Sequence, residues 1–186
     1  MSEIEFISNR ASVKKEGEDL SLVISSAPDK SKAKSIGIIL GLWLAGGIYI
    51  GLNYFKLQDE NAKLMIVIWI AFWLYFSYVI GKAFRWQYFG RELIQIRKGK
   101  LFYKRDVGGR GIVKEYQLNG IANLKKYDDK SPAWTKKFGA DYWSVDCDSL
   151  SFEYEETEIA FGFRLSEKES DKIQKLLRQY LPNRKK

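Results

Sequence analysis

Residues 36–81 read IGIILGLWLAGGIYIGLNYFKLQDENAKLMIVIWIAFWLYFSYVIG, and this stretch decides the architecture of the chain. It contains two uncharged runs, residues 36–55 and residues 64–81, separated by a short polar link. An α-helix rises about 1.5 Å per residue, so a run of this length can cross the ~30 Å hydrocarbon core of a bilayer. We therefore predict transmembrane helices over residues 36–55 and 64–84, joined by a short extracytoplasmic loop over residues 56–63.

So short a loop forces the two helices into an antiparallel hairpin, with both chain ends on the same side of the membrane. The outer flanks of the hairpin are basic, whereas the charges of the loop cancel. The flanking cations are Lys30, Lys32 and Lys34 before the first helix, and Lys82, Arg85 and Arg91 after the second. By the positive-inside rule, this asymmetry predicts that both termini are cytoplasmic.

Most of the excess charge follows the second helix. The formal net charge is +8, and residues 85–186 carry +7 of it, whereas residues 1–35 have six basic and six acidic side chains. A basic excess suits the anionic cytoplasmic leaflet, and because no nucleic-acid-binding motif accompanies it, nucleic acid is not an expected partner. The chain has no histidine and one cysteine, Cys147. We therefore predict no disulfide, no metal or cofactor site, no catalytic residues and no enzymatic activity.

The polar parts of the chain alternate apolar and polar residues, as a half-buried antiparallel sheet requires. The predicted strands cover residues 3–7, 19–26, 91–97, 101–105, 112–118, 121–127, 150–154 and 159–165. An amphipathic helix follows, with a capping box of Ser166 and Glu169 at its start and Pro182 at its end. This succession predicts an α+β membrane protein with a PH-like antiparallel β-barrel and a C-terminal capping helix.

The domain boundaries follow from these elements. Residues 1–35 form an N-terminal cytoplasmic segment with one or two strands, residues 85–182 form the PH-like cytoplasmic domain, and residues 183–186 form a basic tail. The transmembrane hairpin is either inserted in the β domain or precedes it. We favour insertion, because strands on both sides of the hairpin return to the same side of the membrane and can join one sheet.

Short motifs in the polar part carry a family likeness. They are FGRE at residues 89–92, Gly109 and Gly111 of a turn, Lys114-Glu115-Tyr116, Phe152 with Tyr154, and Phe161-Gly162. Together with the Trp- and Gly-rich hairpin, they resemble a family of small bacterial membrane proteins with PH-like domains, over most of the chain from about residue 18. The resemblance implies the architecture and a multi-pass location in the bacterial inner (cytoplasmic) membrane, but no common activity.

The first candidate contact site is a row of small residues on the first helix, spaced for close helix packing. The row consists of Gly37, Gly41, Ala45, Gly47 and Gly51. Glycine is also common in membrane helices in general, so both interpretations stay open.

Two further candidate sites lie in the polar part. The basic hairpin, which could contact anionic lipid or be an ordinary solvated strand face, carries Lys98, Lys100, Lys104, Arg105 and Arg110. The aromatic loop, residues 128–146, carries Trp134, Phe138, Tyr142 and Trp143. These rings could dock on a protein partner, dip into the membrane interface, or form the local core of the loop.

Two functional hypotheses follow. The first is a non-enzymatic scaffold or accessory subunit of an inner-membrane assembly, which binds a protein partner through the β domain and the glycine-lined helices. The alternative is a membrane-tethered sensor of anionic lipid or peptide that uses the basic hairpin. The lipid bilayer is a partner in both.

Overall fold

The computed structural model describes residues 3–26, 30–127 and 148–181 of the chain. It divides into two compact units, one of helices and one built mainly of strands. The helical unit is Asp29–Tyr88, and the β unit combines Met1–Pro28 with Phe89–Lys186. The β unit therefore takes its residues from both ends of the sequence.

The helical unit contains two long helices, α1 (Lys30–Tyr54) and α2 (Glu60–Phe89). Both are long and apolar enough to cross a membrane. Much of their apolar surface is exposed, and Leu42 and Met65 are 71% and 70% exposed. Water disfavours such an extended apolar surface, whereas a bilayer accommodates it. Both helices continue beyond the apolar runs, because lysine, arginine and glutamate are good helix formers.

The larger sheet of the β unit, sheet A, has six antiparallel strands in chain order. They are β1 (Glu3–Phe6), β2 (Ala11–Glu16), β3 (Asp19–Ser25), β4 (Gly90–Arg97), β5 (Lys100–Val107) and β6 (Val113–Gln117). β3 precedes the helices in the sequence and β4 follows them, yet they are neighbours, with Leu22 paired to Ile94. Alternate residues of β3, including Leu20 and Ile24, are buried. The helix pair therefore interrupts one continuous sheet.

The smaller sheet, sheet B, has three antiparallel strands. They are β7 (Ile121–Lys126), β8 (Asp148–Tyr154) and β9 (Thr157–Phe163). Helix α3 (Glu167–Tyr180) begins at a capping box in which Ser166 and Glu169 each accept from the backbone N–H of the other. Ile173 and Leu177 of α3 are buried in one core with side chains of both sheets.

The α+β class with antiparallel sheets is confirmed, but the predicted PH-like barrel is not observed. Among the described residues the two sheets are separate and neither closes. The ladder of sheet A ends after β6 because Leu118–Gly120 form a 3-10 turn, and the chain beyond it pairs with β8. Strand β2 has no counterpart among the predicted strands.

Two hairpin turns of the β unit place non-glycine residues at positive φ. In the β4–β5 turn, Lys98 and Gly99 have φ angles of 50° and 73°, as the two-residue turn that suits a hairpin requires. In the β8–β9 turn, the same positions are occupied by Glu155 and Glu156, with φ angles of 48° and 65°. The left-handed conformation costs a residue with a Cβ atom about 1–2 kcal/mol. The second turn is therefore the more strained.

Replacing Glu155 by Asn and Glu156 by Gly should raise the free energy of unfolding by about 1 kcal/mol, because both new residues tolerate positive φ. The matched control is Lys98→Asn, in a turn that already contains a glycine, where a smaller gain is expected. Denaturant unfolding of the purified chain in detergent, followed by circular dichroism, measures both. A double variant no more stable than the control would contradict the strain argument.

Candidate functional site

A groove of about 690 Å³ opens between β6, an edge strand of sheet A, and β9, an edge strand of sheet B. Its volume lies in the range of clefts that bind ligands in proteins. The residues that line it are Tyr103, Arg105, Ile112, Lys114, Tyr116, Asp148, Tyr154, Glu155, Thr157, Glu158, Ile159 and Ala160. Both sheets thus contribute to this groove.

Two of the lining residues bind the buried carboxylate of Glu92 on β4, a residue only 1% exposed. Its Oε1 accepts hydrogen bonds from the Tyr103 hydroxyl at 3.0 Å and from Arg105 Nε at 3.2 Å. Its Oε2 accepts from the backbone N–H groups of Gly162 at 2.7 Å and Phe163 at 3.1 Å, both on β9. One carboxylate therefore joins the two sheets.

Arg105 extends this network to β8. Its Nη2 donates to the two carboxylate oxygens of Asp148 at 2.5 and 2.6 Å, and its Nε donates to the Tyr103 oxygen at 2.9 Å. Burial opposes the charge of Arg105, but Tyr103, Asp148 and Glu92 outweigh it and raise the pKa of the guanidinium. Burial, and then the charge of Glu92, raises the pKa of the Tyr103 hydroxyl. Tyr103 therefore keeps the proton that it donates to Glu92.

The end of β9 is held by a second contact from sheet A. Arg10, in the loop between β1 and β2, donates from Nη2 to the carbonyl of Phe163. Burial lowers the pKa of Arg10, although Glu169 and Glu92 act in the opposite direction. Gly162 is required here, since its φ is 81° and a Cβ would lie 2.7 Å from a methyl carbon of the nearby Leu165.

Tyrosine rings give the groove a preformed aromatic wall. The rings of Tyr116 on β6 and Tyr154 on β8 meet edge to face, with centroids 5.1 Å apart. Tyr116 also packs on Phe152 at 5.4 Å. Burial, and then the neighbouring Tyr154, raises the pKa of Tyr116. Tyr116 therefore stays uncharged at neutral pH, and its ring presents apolar surface.

The charged residues of the groove lining differ in their surroundings. Arg105 and Asp148 are bound to each other, whereas Lys114 and Glu155 are exposed. Within the described parts of the chain, no group of three or more His, Cys, Asp or Glu side chains could hold a metal ion. A ligand would meet the tyrosine wall, aliphatic side chains and the backbone of an edge strand.

Three of the five predicted lipid-contacting cations are bound to carboxylates within the protein. Lys100 pairs with Glu115 at 2.5 Å and Lys104 with Asp106 at 2.7 Å, while Arg105 belongs to the network above. The hydrogen bond from Lys104 is the main cause that lowers the pKa of Asp106. These three cations therefore form ion pairs within the β unit.

The other two cations, Lys98 and Arg110, are exposed and have no ion pair with any described residue. Lys98 lies in the turn before β5 and Arg110 in the turn after it, so they mark opposite ends of one strand. The remaining candidates lie outside the described residues: Trp134, Phe138, Tyr142 and Trp143 of the aromatic loop, together with Cys147.

In the helical unit, two glycines of the predicted row lie against α2. A Cβ at Gly37 would lie 3.1 Å from the ring of Phe84, and a Cβ at Gly47 would overlap the indole of Trp73. The absence of a side chain at Gly47 therefore makes room for the Trp73 ring between the two helices, as close packing of membrane helices requires.

The polar groups beside this contact form hydrogen bonds with one another. Trp73 Nε1 donates to the carbonyl of Trp43 at 3.0 Å, and Trp43 Nε1 donates to the hydroxyl of Ser77 at 3.0 Å. The Ser77 hydroxyl donates in turn to the carbonyl of Trp73 at 2.7 Å. In an apolar solvent such a closed chain of donors and acceptors avoids the cost of unpaired polar groups.

The other members of the row have a different environment. A Cβ at Gly41 or Gly51 would meet no atom within 4 Å, and Ala45 is exposed. Of the glycines in the row, Gly37 and Gly47 therefore lie against α2, whereas Gly41 and Gly51 have open space around them.

The residues of the cross-link between the sheets, Glu92, Tyr103 and Asp148, are absent from the predicted sites. The sequence does indicate that Glu92 is unusual. It falls on the same face of its strand as Ile94 and Ile96, which are both buried. A carboxylate on the core face of a strand needs partners. The sequence does not name those partners, since they lie far away along the chain.

Glu92→Gln should destabilise the chain by about 3–5 kcal/mol, the usual cost of breaking a buried ion pair. The amide has one acceptor oxygen, so either the two N–H groups of β9 or the Tyr103 and Arg105 donors would face its NH₂ group. The control Glu115→Gln removes the exposed pair with Lys100 and should cost no more than about 1 kcal/mol. Denaturant unfolding in detergent compares them. Equal losses would contradict a cross-linking role for Glu92.

Gly47→Ala should destabilise the helical unit by about 1–3 kcal/mol, because the added methyl group forces Trp73 or the helices apart. Gly51→Ala, at an open position of the same helix, is the control and should be neutral. Tryptophan fluorescence and thermal unfolding in detergent report the change. If both variants behave as the unmodified chain does, Trp73 is not packed on Gly47.

Comparison with known proteins finds no matching family model, no matching curated protein and no matching solved structure.

Proposed function

We propose that this chain is a non-enzymatic membrane scaffold, an accessory subunit that holds a protein partner at the bacterial cytoplasmic membrane. Helices α1 and α2 would cross the membrane as a hairpin, with both termini in the cytoplasm. The β unit would carry the binding surface, and open positions on α1, such as Gly41 and Gly51, would offer a further contact within the membrane.

The observation that carries this proposal is the pairing of β3 with β4 across the inserted helices. β3 ends at Ser25 and β4 begins at Gly90, so the two connections to the helices leave from neighbouring strands. Ser26 strengthens this point, since its N–H and its hydroxyl both donate to the carbonyl of Gly90, at 3.0 and 2.7 Å. A β unit that is joined in the sequence to both membrane helices is suited to keep a bound partner at the membrane.

The groove supports binding rather than catalysis. Its ordered ion pair, Arg105 with Asp148, is held in place by Glu92 and Tyr103, which connect it to the core of the protein. A general acid or base must exchange protons with a substrate, whereas these groups are engaged with one another. What remains accessible suits recognition of a polypeptide.

Lipid sensing is the weaker alternative. A headgroup site needs several free cations close together, and three of the five predicted cations are already bound to carboxylates. The two exposed ones, Lys98 and Arg110, lie at opposite ends of β5. They would add a general attraction to an anionic surface.

The test uses the full chain, tagged and expressed at its native level, and extracted from membranes in a mild detergent. A scaffold should migrate as a defined complex that contains a second protein in fixed stoichiometry. The double variant Lys98→Ala with Arg110→Ala should leave this complex intact. A chain that is monomeric throughout, or whose only bound partner is anionic lipid lost in the double variant, would contradict the proposal.

A further inference from the structure

We infer that the outer edge of β6, with which no described strand pairs, takes up an extended segment of the partner protein as an added strand in the groove, an inference that rests on the proposed scaffold function. The recognition would be main-chain hydrogen bonding to the edge, combined with side-chain contacts on the groove walls. This is the mode in which sheet edges bind peptides.

The hydrogen-bond pattern of sheet A shows which backbone groups of β6 face the groove edge. The N–H of Leu118 donates to the carbonyl of Gly99 at 3.0 Å, so this pair is a hydrogen-bonded pair of the β5–β6 ladder. Such pairs alternate along an antiparallel ladder. The backbone groups of Val113, Glu115 and Gln117 therefore point away from β5, and in the described part of the chain no strand pairs with them.

The side chains beside this edge suit an extended segment. Ile112, directly before β6, lines the groove and is 83% exposed, which is unusual for a large aliphatic residue. Val113, the first residue of β6, is 55% exposed but is not part of the groove lining. Tyr116 and Tyr154 form the aromatic wall beyond them. In a strand, alternate side chains point to one face, so every second apolar side chain of a bound segment could lie against this surface.

The charges of the groove specify the occupant further. The lining has two cations, Arg105 and Lys114, against three carboxylates, on Asp148, Glu155 and Glu158. Arg105 and Asp148 are bound to each other, and Glu158 pairs with Lys125 at 3.2 Å. This leaves Lys114 on the sheet A side of the groove and Glu155 on the sheet B side. A segment in which apolar residues alternate with polar ones, including a basic residue that approaches Glu155, therefore fits best.

A second copy of this chain is the less suitable occupant. If β6 paired with β6 of another copy in the antiparallel register that uses the whole strand, Glu115 would lie opposite Glu115. Like charges directly opposite each other destabilise a strand pair. The same pair of charged residues, Lys114 and Glu115, limits unspecific edge-to-edge association.

The first test measures binding of a defined probe, a short peptide in which valine alternates with threonine and lysine, to the full chain in nanodiscs. Glu115→Pro removes an outward N–H without breaking the β5 ladder, and should weaken binding about tenfold or more. Glu115→Ala keeps that N–H and is the matched control. If circular dichroism shows that Glu115→Pro does not fold, Val113→Pro replaces it, because the N–H of Val113 also points away from β5.

Amide hydrogen exchange locates the bound peptide. On addition of the probe, exchange should slow at Val113, Glu115 and Gln117 and stay unchanged along β1, the other edge of sheet A. A peptide of the same composition with its valines in one block should give neither effect. Protection elsewhere, or equal binding by the proline and alanine variants, would overturn the inference.

Photo-cross-linking in native membranes separates this inference from the proposed function. A photoreactive residue in place of Ile112 should cross-link to an extended segment of the stoichiometric partner, and the cross-link should disappear in Glu115→Pro. If the complex persists but Ile112 cross-links only within the chain, to lipid or to a second copy, strand addition is wrong while the scaffold stands. If no complex is found at all, the proposed function itself fails.

Discussion

The carboxylate of Glu92 is the point at which the two sheets of the β unit are held together. It is a buried charge, and a buried charge is tolerated only when its oxygens are fully hydrogen-bonded. Here Tyr103 and Arg105 come from sheet A, and the N–H groups of Gly162 and Phe163 come from sheet B. Because these donors are far apart in the sequence, the carboxylate is satisfied only when both sheets are complete and correctly placed.

The two sheets are joined near one end of β9 and stand apart along the groove. The donors of Gly162 and Phe163 bind Glu92, whereas β6 and β9 remain separate edges and line a groove. An exposed edge is a hazard in a water-soluble protein, and short strands with charged residues are the usual protection. β6 has five residues, including Lys114 and Glu115, so it is protected against unspecific pairing, and no described strand pairs with its outward backbone groups.

Much of the fold could be predicted from the sequence, because its signals are local. The uncharged runs predict α1 and α2, period-two alternation predicts most strands, and Ser166 with Glu169 predicts the start of α3. β2 is not predicted, because the apolar residues of ASVKKE are few and small. The partners of Glu92 and the division into two sheets depend on contacts between distant residues, which no local pattern encodes. The spacing of the glycines on α1 does not tell which of them α2 reaches, because that depends on how the two helices pack.

The pairing of β3 with β4 also has a consequence for the order in which the chain folds. The first three strands are synthesised before α1 and α2, and β3 finds its partner only after both helices have been made. Until then, Leu20, Leu22 and Ile24 lack part of the core that later covers them, and pairing across so long an interval of chain is slow. In the proposed topology, a chain that inserted only one of its helices would carry β4 to the opposite side of the bilayer. Completion of sheet A would then be impossible, so a folded β unit would exclude a chain in which only one helix had been inserted.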